Sequence, residues 1–492
     1  MSILKSFIAT IAVSVSLMAD AVTIKNPKCE YVFSAMKQVT IKRIELSNEM
    51  SVVTFCTNDV KSDIYIGRDI YVIEDGGKAH PAINITGAEF DKPICPQNGK
   101  TLEFTVTFEP CENPGTQCLD IISDNGRIYG IHDAGTSINV PHKEYKIDAA
   151  ELQPKCFTMD SVEIDGKIAG YKSDIPQNIY CQYRHVYAVA GKDYKTRQVP
   201  LNADGTFHMK FAADHPDRVL FIVYDRDKKV HDGQMYPTDL YVRPGSRLNI
   251  TMHTAEYDPE NVWKTTEVQD LSGNPTYPEL NHAVSTIAGA MSDMSKNDDF
   301  TPSGCGKLTE AYKYSMALAN YIIWHHQFSE SAAYLYLSGL RMQYVDYMTV
   351  ATRDTNKRHP DTGSLDYSFV RELDPDDPGY FCQSQGLCSL PPLNDIRHRL
   401  EQELRQLPAP EREMKIFQAQ NEELNHITGW TGVTLMMQLL YVQGFWKAII
   451  APNGNEEIRE KDESILQAML PQVTHPYLQN GIREVAHYEM SK

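Results

Sequence analysis

After its first few residues the chain has no long apolar run. No later stretch approaches the roughly 20 consecutive apolar residues that a membrane helix needs. It has no basic excess either: 47 Lys and Arg stand against 65 Asp and Glu, a formal charge of −18. An acidic surface argues against nucleic acid or anionic lipid as the main partner, because both require a positive footprint. Also missing are C-x-x-C and H-E-x-x-H, and no G-x-S-x-G, P-loop, Rossmann glycine pattern or S-x-x-K set stands in a usable context. No reaction is therefore legible, and no cofactor is expected.

What is present is ordinary globular material. With 42% hydrophobic and 23% charged residues over 492 positions, the chain can fill two to four cores. Residues 1–21 read as an export signal: Lys5 supplies the positive end, Phe7 to Met18 the apolar run, and Ala19-Asp20-Ala21 the small-x-small cleavage pattern. Removing them takes away Lys5 and Asp20, one charge of each sign, so the mature chain keeps −18. Ten cysteines suit an oxidising compartment and read first as disulfides. Cys111 with Cys118 and Cys382 with Cys388 are the pairs nearest in sequence. Cys56 with Cys95 and Cys156 with Cys181 are further candidates, and Cys29 and Cys305 complete the set.

The order of parts is β, then β, then α. Between 22 and 149, runs such as TIKRIELS, SVVTFC, TLEFTVTF, CLDIIS and RIYGIHD alternate or are rich in β-branched and aromatic residues. Turns at Asp75-Gly76-Gly77, Asn98-Gly99 and Asn125-Gly126 separate them. Seven such strands predict an immunoglobulin-like sandwich. Residues 150–256 predict a second β-sandwich, with Asn202-Ala203-Asp204-Gly205 as one turn and YVRPGSRLNITMH as its last hairpin. From 257 to 492 the spacing becomes helical and predicts an all-α domain. Leu280, Ala283, Ile287 and Met291 share one face, and further helices fall near 307–326, 330–352, 393–406, 410–425, 432–450, 460–470 and 476–490. Ser329 caps the third, and VTLMMQLLYVQGFWKAII is apolar all round, as a buried central helix is.

Three local features invite chemistry. Trp324-His325-His326-Gln327 carries adjacent histidines, but neighbours on a helix point about 100° apart and no H-E-x-x-H accompanies them, so no metal is expected. Asp374, Asp376 and Asp377 in LDPDDPGYF suggest calcium. However, Pro378 occupies a ligand position and no Glu closes a loop, which leaves a solvated helix entry. CQSQGLC places Cys382 and Cys388 around a Gln-Gly loop. It is the one pair worth testing for redox exchange, although no cation or His lies nearby in sequence to favour a thiolate.

Several strings carry a family resemblance: TLEFTVTFEP followed by RIYGIHD, then GKIAGYK, LNADGTF, YVRPGSRLNITM, LSGNPTYPELN, TGWTGVTLMMQLLYVQGFWKAI and HPYLQNGI. Together, over roughly 40–490, the chain resembles the non-catalytic N-terminal region of large periplasmic TlpA-like thiol–disulfide oxidoreductases of Gram-negative bacteria. In that family a thioredoxin-like domain with C-x-x-C follows the helical segment. Here the chain stops at Lys492, where that domain would begin. The resemblance implies an architecture and a location, periplasm or outer cell envelope, and no catalytic residue. The expectation is an exported scaffold or interaction module with a protein partner. The alternatives are a thiol–disulfide enzyme using Cys382 and Cys388, and a hydrolase with a dispersed site between the second sandwich and the helices.

Overall fold

The computed structural model describes residues 22–57, 64–68, 70–94, 101–113, 118–123, 126–169, 171, 177–184, 194–225, 236–253, 266–360, 366–382, 391–450 and 467–490. The export signal expected over 1–21 lies outside them, as do Cys95, Cys388 and the turn at Asn98-Gly99. The chain divides into two compact units. The first is Met1–Lys143 with Glu256–Thr265 and Asn320–Gln327; the second holds Glu144–Ala255, Thr266–Ala319 and Phe328–Lys492. The second β region and the helices thus share one unit, and a short helical segment belongs to the first.

The first unit is built from β1 (Val22–Lys25), β2 (Lys28–Ser34), β3 (Val39–Leu46), β4 (Ser51–Thr57), β5 (Ile64–Tyr65), β6 (Tyr71–Ile73), β7 (Ala79–Thr86), β8 (Pro93–Ile94), β9 (Glu103–Phe108), β10 (Leu119–Ser123) and β11 (Gly126–His132). Nine of them form one antiparallel sheet in the order β1-β3-β4-β9-β7-β6-β10-β11-β2. Strand alternation sets what faces inward. Val53 and Phe55 of β4 meet Phe104, Val106 and Phe108 of β9, with Phe55 and Phe104 stacked at 5.2 Å. In β3 the register shifts between Ile41 and Arg43, so Ile41 and Ile44, three apart, both turn inward. β7 pairs with β9 through Ala82–Thr86 and with β6 through Ala79–Pro81. Both halves of the sheet contribute to one core, since Ile44 and Phe55 cluster with Val72, Ile121 and Ile131. The sheet is therefore curled and continuous, whereas an immunoglobulin sandwich consists of two separate sheets.

In the second unit, β12 (Asp160–Ala169), β13 (Gln177–Arg184), β14 (Tyr194–Val199), β15 (Thr206–Ala213), β16 (Asp217–Asp225), β17 (Tyr236–Val242), β18 (Arg247–His253) and β19 (Thr266–Asp270) form two four-stranded sheets, β15-β12-β18-β19 and β14-β13-β16-β17. Val162, Ile164 and Leu248 of the first meet Cys181, Val219 and Phe221 of the second in a single core. β12 and β18 run parallel, all other pairs here antiparallel.

The helical region of this unit contains α1 (Ile287–Lys296), α2 (Pro302–His325), α3 (Glu330–Arg358), α4 (Pro391–Glu403), α5 (Ala409–Thr428), α6 (Leu435–Ile450) and α7 (Pro476–Met490), with the end of α2 passing to the first unit. Ser329 caps α3 through the Ala332 N–H, as its side chain suggests. α5 ends at Gly429, whose φ of 74° is the left-handed closure expected of a C-terminal glycine. The helix expected to run on from Leu280 is interrupted: Pro278–His282 is a single 3-10 turn and α1 starts only at Ile287. α6 buries Met436, Met437, Leu439, Leu440, Tyr441 and Val442, so its methionines are core filler. No helix among the described residues is long and apolar enough to cross a membrane.

Candidate functional site

None of the expected disulfides forms among the described residues. Cys111 and Cys118 are not joined. Cys111 sits on Ser51 Oγ, at 3.3 Å, while Cys118 lies 3.5 Å from His325 Nδ1. Proximity in sequence misled, because the strands around them direct the two thiols to different neighbours. Cys156 contacts the Ala150 carbonyl, while Cys181 is sealed in the second β core, so they are separate thiols too. Cys56 lies next to the Thr57 carbonyl, and its proposed partner Cys95 is outside the described residues. Cys29 and Cys305 also carry no disulfide, Cys305 lying against Thr355. Cys382 is fully buried, 3.8 Å from the Glu151 carbonyl, and burial pushes its thiol well up; Cys388 lies outside the described residues.

The aspartates of LDPDDPGYF are structural. Asp376 accepts the Leu435 N–H at the start of α6, and Asp377 accepts from the Tyr334 hydroxyl and the Gly379 N–H. The connector is therefore a helix entry, as its sequence suggests, but one tied to neighbouring elements.

A dense polar cluster of the first unit is centred on Asp120. β10 (LDIIS) is buried on both faces, and alternation sends Leu119 and Ile121 into the core while Cys118 and Asp120 face the other way. Gly130 in β11 is an extra residue opposite Asp120, because Leu119 pairs with Ile131 but Ile121 with Ile128. Its φ of 66° is a left-handed conformation that suits glycine, and a Cβ there would come within 3.0 Å of Glu30. The bulge aims the Gly130 N–H at Asp120 Oδ1, 2.8 Å away.

The segment Asn320–Gln327 supplies the remaining partners. Tyr321 Oη donates to Asp120 Oδ1 at 2.7 Å and also lies 3.4 Å from Cys118 Sγ. His326 Nε2 donates to Asp120 Oδ2 at 2.9 Å. His325 Nε2 lies 3.5 Å from the same oxygen, an ion-pair distance without hydrogen-bond alignment. The other edge of His325 meets Asp75 Oδ1 at 3.3 Å and Cys118 Sγ at 3.5 Å, and Cys118 donates to Asp75 Oδ1 at 3.7 Å. Asp75 is carried by the Gly76-Gly77 turn between β6 and β7, and the Gly76 N–H binds the His325 carbonyl at 3.0 Å.

The adjacent histidines sit at the end of α2, His325 as its last residue and His326 just past it. Their rings, 5.1 Å apart and nearly perpendicular, straddle a carboxylate that a strand delivers between them. The electrostatics are self-consistent. Burial pushes the Asp120 carboxyl up, but the charge of His325 and the hydrogen bond from His326 outweigh it and hold it below the usual range. Burial opposes charge on His325, yet Asp120 and Asp75 raise it to about 10. Burial dominates at His326 and lowers it. The cluster thus holds an ionised Asp120 between a charged His325 and a neutral His326.

A second polar cluster braces the other unit. Arg243 in the YVRPGS turn binds both oxygens of Glu151, with Nε at 2.5 Å, and donates to the Pro275 carbonyl at 2.8 Å. Tyr277 donates to Glu151 at 2.8 Å, and the guanidinium lies over the Tyr241 ring. Glu151, Arg243 of YVRPGS and Tyr277 of LSGNPTYPELN therefore meet in one structural knot. Comparison with family models, curated proteins and solved structures finds no match.

Proposed function

We propose that the chain is an exported, non-catalytic interaction module of a Gram-negative cell envelope, in the periplasm or at the outer envelope, accessory to a thiol–disulfide system. In this reading the first β unit serves as a display module and the second unit as a rigid base. The observation that carries the proposal is the sealing of Cys382. It is 0% exposed and its thiol is pushed up by burial, whereas a redox cysteine must present a thiolate to a partner disulfide. The export signal at 1–21 and the TlpA-like strings support the location and the accessory role.

Two measurements test it. The full chain is expected not to accelerate disulfide reduction of insulin by dithiothreitol. Turnover that disappears in Cys382→Ser would make it an enzyme. Expressed with its leader, it is expected in the osmotic-shock fraction with residues 1–21 removed; an uncut cytoplasmic product would overturn the location.

A further inference from the structure

We infer that Asp75, Cys118 and His325 form a binding site for a zinc-type divalent cation. The argument is geometric. Zinc holds thiolate sulfur at about 2.3 Å and imidazole nitrogen or carboxylate oxygen at about 2.0–2.2 Å in a tetrahedron. The edges of that tetrahedron are then about 3.6 Å for S···N, about 3.6 Å for S···O and about 3.3 Å for N···O. Cys118 Sγ to His325 Nδ1 is 3.5 Å, Cys118 Sγ to Asp75 Oδ1 is 3.7 Å, and His325 Nδ1 to Asp75 Oδ1 is 3.3 Å. All three edges match. A mixed S, N, O donor set suits zinc and its neighbours in the first transition row better than magnesium or calcium.

The surroundings fit the same reading. Asp75 is the solvent-facing member, its side chain 36% exposed, and gives an ion its route in; Cys118 and His325 are buried behind it. The far nitrogen of His325, Nε2, is buried without an aligned hydrogen-bond partner and faces Asp120 Oδ2 at 3.5 Å. A carboxylate behind a ligating histidine orients the ring and raises its basicity. Asp120 is itself fixed by the Gly130 N–H, the Tyr321 hydroxyl and His326. The 2.9 Å contact between Asp120 and His326 is a direct hydrogen bond, shorter than a ligand–ligand edge, so Asp120 and His326 are positioning residues and not ligands. On loading, the Cys118 thiol and the His325 Nδ1–H give their protons to solvent, and bonds form from Sγ, Nδ1 and an Asp75 oxygen to the metal. Water or Tyr321 Oη, already 3.4 Å from the sulfur, supplies the fourth position.

A neighbouring set, Glu74, His80 and Cys111, is less suited. Both Glu74 oxygens already accept backbone N–H groups, from Glu112 and Asn113, and Cys111 is engaged by Ser51. It serves as the internal control.

The test is titration of the full, chelator-treated, reduced chain with Co²⁺. The expected result is one ion per chain, with a thiolate-to-cobalt charge-transfer band and the intense visible absorption of tetrahedral cobalt. Cys118→Ser should abolish the charge-transfer band and Cys111→Ser should leave it. Asp120→Asn should keep the band but weaken affinity about 10–100-fold. If Cys118→Ser fails to fold, the wild-type chain still decides: in urea just below the unfolding midpoint, where the buried thiol opens to reagent, added Zn²⁺ should slow alkylation of Cys118, read by peptide mass mapping. Absence of stoichiometric uptake, a band that survives Cys118→Ser or vanishes in Cys111→Ser, or alkylation of Cys118 unaffected by zinc would each overturn the assignment. None of these readouts depends on the scaffold reading.

Discussion

Replacing Arg243 with Met tests how the second unit is held together. The guanidinium makes two hydrogen bonds to Glu151, one to the Pro275 carbonyl, and lies 5.0 Å from the centre of the Tyr241 ring. Both charged partners are buried, Glu151 at 1% exposure and Arg243 at 4%. Met preserves most of the volume, so the dominant loss is electrostatic. Glu151 would remain as a buried carboxylate with the Tyr277 hydroxyl as its side-chain partner, and breaking a buried pair in this way costs about 3–5 kcal/mol. With a urea m-value of about 2.5 kcal/mol/M, the midpoint of this unit should fall by roughly 1–2 M. Circular dichroism and tryptophan fluorescence should be followed in parallel, because two units are free to unfold in separate transitions. The double variant Glu151→Leu with Arg243→Met should recover part of the loss, since neither charge is then stranded. A single Arg243→Met loss below about 1 kcal/mol, or single losses that merely add, would refute the argument.

Three further outcomes are expected. Gly130→Ala forces a side chain into the left-handed region and against Glu30, so it should cost about 1–2 kcal/mol or more; a neutral effect on the urea midpoint would show that the bulge relaxes. Asp376→Ala removes the side chain that accepts the Leu435 N–H at the start of α6 and should cost about 1 kcal/mol, measured the same way. His475, stacked 4.7 Å from Phe381, has its pKa lowered by burial, so the unfolded chain takes up a proton first. This group's contribution is flat above the ordinary histidine value of about 6.5, and stability is lost as pH falls below it. His475→Asn should make melting temperature less steep between about pH 7 and pH 5, and an unchanged slope would remove His475 from the account.

The progression from β to α could be read from periodicity alone, because strand and helix patterns are local. SVVTFC and TLEFTVTF alternate as they pack, and within the 432–450 run residues 436–442 are buried as their composition demands. The curl of the first sheet was not legible, since it depends on β7 splitting its length between the preceding β6 and the later β9. The candidate site was half legible. His325-His326 stood out, but a one-dimensional reading of the helix sees two diverging rings and not the strand carboxylate that arrives between them. Asp120 gave one faint signal: a lone acid inside CLDIIS, on the same face as Cys118, in a strand too apolar to have a wet side. The Cys111–Cys118 pairing failed because closeness along the chain says little about which way adjacent strand residues point.

The placement of Asn320–Gln327 in the first unit has a consequence for the order in which the protein is made. Lys143 is synthesised long before Asn320; at about 5–20 residues per second the interval is on the order of ten seconds or more. Throughout it, Asp120 has the Gly130 N–H but neither the Tyr321 hydroxyl nor the two imidazoles. The nascent β unit must therefore wait, with a carboxylate uncovered, for a piece of helix not yet translated. A fragment ended at Lys143 never leaves that waiting state. The shortest piece that can reproduce the first unit runs through Gln327.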